Sequence, residues 1–166
     1  MSTAENLKEA FAGESQANRR YLAFAKQADQ EGLPHVAKLF RAAAAAETIH
    51  AHAHLHVMGG IQATATNLQS AIEGEATEFK EMYPGFANEA EAEGNKPAVF
   101  SFKRALAVEE IHHRLYTDAL QTVQAGQDLP EKRISVCDVC GNTVYGEPPD
   151  VCPICGAKKE RFFEVA

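Results

Sequence analysis

The 166-residue chain contains no Trp, and its four Cys all fall after residue 136. It has no stretch near the ~18 apolar residues of a membrane-crossing helix. The opening Met1-Ser2-Thr3-Ala4-Glu5 has neither the basic region nor the apolar core of a secretory leader. Membrane insertion is excluded on that ground, and a cytoplasmic location is expected. Bases are scarce too: 16 Lys and Arg against 23 Asp and Glu give a formal charge of −7. A chain of that sign has little with which to displace counterions from phosphates, so nucleic acid is not an expected partner. Strand-type alternation is missing from residues 3–126. What the chain does have is 45% apolar residues, enough for a solid core, and long tracts of Ala, Leu, Glu, Gln and Lys.

Punctuation divides the first 126 residues into four long helices. The first starts at Ser2 or Thr3, where Ser2-x-x-Glu5 fits a capping box, and ends at Gly32. Pro34 suits the opening turn of the second, which stops at Gly59-Gly60. Thr66-Asn67 opens the third, Pro84 is expected to kink it after Tyr83, and Gly94 ends it. The fourth runs from about Pro97 to Gly126. Four such helices sharing a core predict an all-α four-helix bundle over residues 1–130, with a 60–66 link long enough to cross it. Residues 131–166 differ: they hold all four Cys and three of the seven Pro, and are too short to fold without a staple.

The helical region repeats internally. Asn6-Leu7-x-x-Ala10-Phe11-x-Gly13-Glu14 matches Asn67-Leu68-x-x-Ala71-Ile72-x-Gly74-Glu75 at an offset of 61. Ala28-x-x-Glu31-Gly32 matches Ala90-x-x-Glu93-Gly94 at 62, and the same offset carries Glu47-x-x-His50 onto Glu109-x-x-His112. The two halves are copies of one helical hairpin, and the matches retain the acids.

On a helix, residues three apart share a face, so Glu47/His50 and Glu109/His112 can each point two side chains inward. With Glu14 and Glu75 they make the ligand set of a di-iron carboxylate bundle: two single Glu and two Glu-x-x-His. Carboxylates can bridge two cations, while a neutral imidazole on each leaves positions open for oxygen-containing ligands. A lone Glu-x-x-His is usually surface decoration; the repeat is what raises this set above it. The neighbouring Glu110/His113 has the same spacing but lies outside the repeat and is expected at the surface. Glu78 stands where the first half has Ala17, one turn after Glu75, and a fifth inward carboxylate requires a cation to neutralise it. His35, His52 and His56 are expected in solvent, and His54 in packing or a supporting contact. Tyr21 and Tyr116 each lie seven residues after a candidate Glu, and Tyr83 lies five after Glu78. Each suits core packing or hydrogen bonding to bound oxygen species.

Cys137-x-x-Cys140-Gly141 and Cys152-Pro153-x-Cys155-Gly156 form two knuckles, a four-thiolate pattern rather than a disulfide framework. Tetrahedral S4 geometry admits zinc, as a structural staple, or a single iron, as a one-electron carrier. A redox-capable two-metal site in the same chain favours iron.

Glu14…Tyr21, Glu47-x-x-His50, Gly74-Glu75-x-x-Glu78-x-x-x-Met82-Tyr83-Pro84 and Glu109-x-x-His112-x-x-x-Tyr116, followed by paired Cys knuckles, resemble the rubrerythrin family over nearly the whole chain. The resemblance implies a ferritin-like di-iron bundle at 1–130 and a rubredoxin-like Fe(Cys)4 domain at 131–166. It implies that Glu14, Glu47, His50, Glu75, Glu78, Glu109 and His112 hold two non-haem irons, and that Cys137, Cys140, Cys152 and Cys155 hold one more iron, or zinc. It further implies exchange of Glu78 for His50 on one iron upon reduction, with Tyr21 and Tyr83 beside the site. Asn142 departs from the family pattern, standing where rubredoxin-like modules often have an aromatic residue. The implied activity is reduction of hydrogen peroxide to water in protection against oxidative stress. Electrons would come from a rubredoxin or an NAD(P)H-dependent reductase through the tetrathiolate centre, in a homodimer or larger homo-oligomer. Three other readings stand beside it. One is a ferritin-like iron-binding or ferroxidase protein with a structural zinc; the others are an oxygen-activating oxidase and a scaffold bundle whose acids are merely exposed.

Overall fold

The computed structural model describes residues 2–165. Its helices are α1 (Thr3–Gln30), α2 (Pro34–Val57), α3 (Thr64–Thr77), α4 (Tyr83–Ala92) and α5 (Lys96–Gln124), with a π-helical turn, Glu78–Met82, joining α3 to α4. Three strands follow, β1 (Ile134–Cys137), β2 (Thr143–Tyr145) and β3 (Phe162–Glu164). Four long helical stretches and a small three-stranded cysteine domain are the fold class expected from the sequence. Among the described residues no helix is long and apolar enough to cross a membrane. The chain divides into two compact units, one ending at Gln62 and the other beginning at Ala63.

The first unit is the α1/α2 hairpin. Ser2 caps α1: its hydroxyl accepts from the Glu5 N–H at 3.2 Å, and the Glu5 carboxylate accepts from the Ser2 N–H. At the other end Gly32, with φ +74°, closes the helix, and the Leu33 N–H donates to the Ala28 carbonyl. Ala25, Ala28 and Ala37 are buried between the helices, with Phe40 against them. Alanine at these positions lets two backbones approach closely. Asn18 ties them, its amide donating to the Ala44 carbonyl at 2.7 Å and to the Thr48 hydroxyl at 2.8 Å.

In the second unit α3, the π turn and α4 pack along α5, and the repeat reappears in three dimensions. Tyr21, Phe24 and Phe40 form a ring triad with centroids 6.4, 6.2 and 5.6 Å apart; Tyr83, Phe86 and Phe102 form its copy at 6.3, 6.3 and 5.5 Å. Arg41–Asp29 has its counterpart in Lys103–Glu91, and Gly94 ends α4 as Gly32 ends α1.

Two sequence expectations are corrected here. Helix α3 starts at Thr64, two residues before Thr66, because its first turn is closed by the backbone alone: the Asn67 N–H donates to the Ala63 carbonyl at 3.0 Å. Pro84 does not simply kink the helix, because the chain widens into the π turn just before it, with the Tyr83 N–H donating to the Glu78 carbonyl five residues back. The cause is a register slip. Glu14 and Glu75 are 61 apart, whereas Tyr21 and Tyr83 are 62 apart, so the second half carries one extra residue between them. A π turn absorbs one residue while leaving the faces on either side aligned, and it removes the clash between the Pro84 ring and the preceding turn.

The cysteine domain belongs to the second unit. Its sheet has the order β2-β1-β3, antiparallel throughout, with Val136 opposite Thr143 and Cys137 opposite Phe162. The Tyr145 hydroxyl donates to the Pro130 carbonyl and so ties the incoming chain to the sheet. Its core consists of Cys137, Cys152 and Phe162, packed by Cys140, Val144, Ile154 and Cys155. A core made mainly of thiols is small for a free-standing fold, which is where a metal staple belongs.

Deletion of Lys80 removes the extra residue and leaves Pro84 inside a regular helix, at a cost of about 3 kcal/mol. Adding Pro84→Leu, which copies Leu22 at the equivalent place in α1, is expected to recover most of that loss in urea unfolding. A double variant no more stable than the deletion alone would contradict the register account.

Candidate metal centres

Each hairpin builds one carboxylate–imidazole cluster. In the first unit Glu14 comes from α1, and Glu47 and His50 from successive turns of α2. Nδ1 of His50 lies 2.9 Å from Glu47 Oε2 and 3.9 Å from Glu14 Oε1. In the second, Glu75 comes from α3, and Glu109 and His112 from α5. Nδ1 of His112 lies 2.7 Å from Glu109 Oε2 and 3.7 Å from Glu75 Oε1. Within each cluster one ligand atom per residue falls within 4.8 Å of the others. The i, i+3 spacing does this by itself, placing the imidazole over its own helix's carboxylate.

The second cluster bears the strain of like charge. Burial raises the Glu75 carboxyl above its ordinary value, and the nearby Glu109 and Glu78 charges raise it further against a lowering by His112. Glu78, on the π turn, lies outside the tight trio but shares its field: burial and then Glu109 raise its carboxyl, and His112 opposes. Burial also raises the Tyr83 phenol, followed by Glu78, Glu109 and Glu75; the Tyr116 phenol is raised by burial, then by Glu75 and Glu109. Both phenols therefore remain protonated, as hydrogen-bond donors. Tyr21 packs against Phe24 and Phe40. Converging carboxylates with an imidazole nitrogen aimed among them suit a divalent or trivalent ion that takes O and N ligands.

The remaining candidates separate clearly. Glu110, His35, His52 and His56 are exposed, and His54 is half-buried. His113 corrects an expectation: it is half-buried rather than on the surface, its ring edge-on to Phe79 of the π turn at 5.3 Å.

The four Cys are free thiols whose Sγ atoms all lie within 4.8 Å of one another. Cys137 and Cys155 are 3.7 Å apart and Cys140 and Cys152 3.6 Å. Those are close to the edge of a tetrahedron with ~2.3 Å metal–sulfur bonds, and far from a ~2.05 Å disulfide. Burial pushes the Cys152 thiol up, but hydrogen bonds from the Cys155 and Ile154 backbone N–H groups and from the Cys155 and Cys140 side chains together outweigh it and bring the group down to about 7. Burial instead dominates at Cys140, which is raised. The cluster thus has one thiol poised as thiolate near neutral pH, a fit for a thiophilic ion.

Two residues in the knuckle region were not anticipated as contributors. Asn142, only 2% exposed, donates its amide to Cys152 Sγ at 3.6 Å. Thr143 bonds to His112 across the second unit, Oγ1 to Nε2, at 2.9 Å. A groove of about 430 Å³ runs beside this contact, lined by Arg104, Val108, Glu109 and His112 from α5 and by Val139 and Cys140 from the knuckle.

Comparison with known proteins gives two family matches along the chain. Residues 5–120 match the family model "Rubrerythrin", and residues 136–163 match "Rubrerythrin, rubredoxin-like domain". Rubrerythrin-2 of Clostridium acetobutylicum is 36% identical, covering 96% of this chain and 95% of its own length. Nigerythrin of Nitratidesulfovibrio vulgaris is 37% identical over 97% of this chain and 85% of its own length. A solved structure of nigerythrin in a partially reduced state superposes with a TM-score of 0.60 at 35% identity, covering 99% of this chain and 87% of that one.

Because the Glu75 carboxyl lies above its ordinary 4.5, the folded metal-free chain holds that proton more tightly than the unfolded chain does. Its stability is therefore expected to fall as pH rises from about 4.5 through the raised folded value. Glu75→Gln removes the penalty and is expected to raise the metal-free melting midpoint at pH 7 by about 2–4 °C, while weakening metal binding on the order of 100-fold. Differential scanning calorimetry with and without metal checks both signs; a lower metal-free midpoint in the variant would contradict the like-charge account.

Proposed function

The chain belongs to the rubrerythrin family, and on that footing we propose that it reduces hydrogen peroxide to water. The single observation that carries the reading is the coexistence, in one chain, of two Glu/Glu/His clusters and a tetrathiolate cluster. The first kind suits chemistry on oxygen ligands, and the second suits delivery of electrons one at a time. Glu14, Glu47, His50, Glu75, Glu78, Glu109 and His112 would hold two irons, and the four Cys a third. When bound, the two bundle irons supply the two electrons that, with two protons, convert one peroxide into two waters.

The chain's own residues set the surroundings for that conversion. The acidic side chains would hold the cations, with one neutral imidazole completing each donor set. The protonated phenols of Tyr83 and Tyr116 can donate hydrogen bonds at Oη toward a bound oxygen species. Tyr21 occupies the equivalent place in the first hairpin. The cysteine domain lies against α5 through Thr143 and His112, which favours delivery of electrons toward the Glu75/Glu109/His112 cluster. An external donor such as a rubredoxin or an NAD(P)H-dependent reductase would refill the cysteine centre, and a homodimer or larger homo-oligomer is the assembly proposed.

Stopped-flow oxidation of the reduced, iron-loaded chain tests this reading. Peroxide is expected to oxidise it at least about tenfold faster than oxygen, and Cys137→Ser to slow reductase-coupled turnover while leaving single-turnover oxidation intact. Oxidation by oxygen as fast as by peroxide would favour a ferroxidase, and unchanged coupled turnover in the variant would remove the relay.

A further inference from the structure

We propose that Thr143 is a positioning residue for His112, through which the cysteine domain sets the metal affinity of the Glu75/Glu109/His112 cluster. A single proton decides the direction of the contact. Oγ1 of Thr143 lies 3.1 Å from the Gly141 carbonyl and 2.9 Å from His112 Nε2. A carbonyl can only accept, so with the hydroxyl proton on Gly141 the Thr143 oxygen is an acceptor for Nε2–H of His112. Nδ1, 2.7 Å from Glu109 and 3.7 Å from Glu75, is the atom that faces the carboxylates, and a cation bound there leaves the ring neutral with its proton at Nε2. That is the form in which an imidazole binds a metal, and it is fixed by a hydrogen bond at the far nitrogen.

The support comes from outside the helices. Thr143 opens β2 two residues after the Gly141 of the first knuckle, and Asn142 between them is bonded to Cys152 Sγ. The Cys137 N–H donates to the Asn142 carbonyl, and the Gly141 N–H to the Cys137 carbonyl. The position of the Thr143 hydroxyl therefore depends on the knuckle, and the knuckle on its thiols. Among the described residues His50 has no such brace: its contacts are Glu47 and Glu14 on its own hairpin, and its side chain is 55% exposed against 26% for His112. The repeat supplies two clusters of the same composition, and Thr143 makes them unequal.

The affinity part of this inference rests on the metal reading of the bundle clusters; the contact at Nε2 does not. The test uses the full chain with Zn(II) in the cysteine site, titrated with Co(II) by calorimetry, in wild type, Thr143→Val, Thr143→Ser and Cys152→Ser. Long-range proton–nitrogen NMR reports the His112 Nε2 chemical shift in the same proteins before Co(II) is added. Wild type and Thr143→Ser are expected to share one Nε2 shift and equal affinity. Thr143→Val is expected to move the Nε2 shift and to lose about 10–100-fold in Co(II) affinity. Cys152→Ser is expected to produce a similar loss, with no further loss when combined with Thr143→Val. An unchanged Nε2 shift and affinity in Thr143→Val would overturn the proposal, as would a Thr143→Ser as weak as the valine variant. A wild-type chain that takes no Co(II) beyond the cysteine site would sink the metal reading and the affinity claim together, and the Nε2 shift would still decide whether Thr143 holds His112.

Discussion

Repulsion among half-buried carboxylates is the constraint to which the helical part of this molecule answers. Glu75, Glu78 and Glu109 share one field, and each of the first two is pushed toward its protonated form by burial and by its neighbours. A fold can tolerate such a group only by exposing it, protonating it or giving it a cation. His112 supplies part of the compensation, and a bound metal would supply the rest. The net charge of −7 takes on a different meaning in that light. Four of its acids, Glu14, Glu47, Glu75 and Glu109, converge with histidines in the two clusters and Glu78 shares the field of the second, and the 16 bases nearly match the 18 acids that remain.

Duplication supplies the two clusters economically, and a single inserted residue makes the copies different. The ring triads, the Arg41–Asp29 and Lys103–Glu91 pairs and the glycine caps repeat almost unchanged. The departures are concentrated near the second cluster. The π turn brings Glu78 into its field, and the cysteine domain brings Thr143 to its histidine. Insertions that widen a helix often sit at functional sites because they redirect one side chain without moving the faces that pack. The first hairpin keeps the unbroken form of the helix, so both versions can be compared within one chain.

Much of this was legible in the residues. Capping at Ser2, the glycine stops at Gly32 and Gly94, and the cysteine knuckles are local signals with local causes, and they located the elements closely. The clusters were legible because helical spacing converts Glu-x-x-His into one face, and the repeat told Glu109/His112 apart from Glu110/His113. The π turn was present in the sequence as the change of offset from 61 to 62, but Pro84 offered a simpler local explanation and masked it. The early start of α3 had no side-chain cap to announce it. Thr143 carried no signal and Asn142 only that of an unusual residue at its position, since their roles come from hydrogen bonds to His112 and Cys152, 31 and 10 residues away in the chain. His113 failed as a surface prediction for a similar reason: its partner, Phe79, is on another element.

Mössbauer spectroscopy with metal analysis on the full chain reconstituted with iron-57 tests the central claim most directly. The account predicts about three irons per chain, two in oxygen and nitrogen surroundings and one in a tetrathiolate. A chain that takes up only the tetrathiolate iron, with its helical carboxylates titrating as solvated acids, would contradict it.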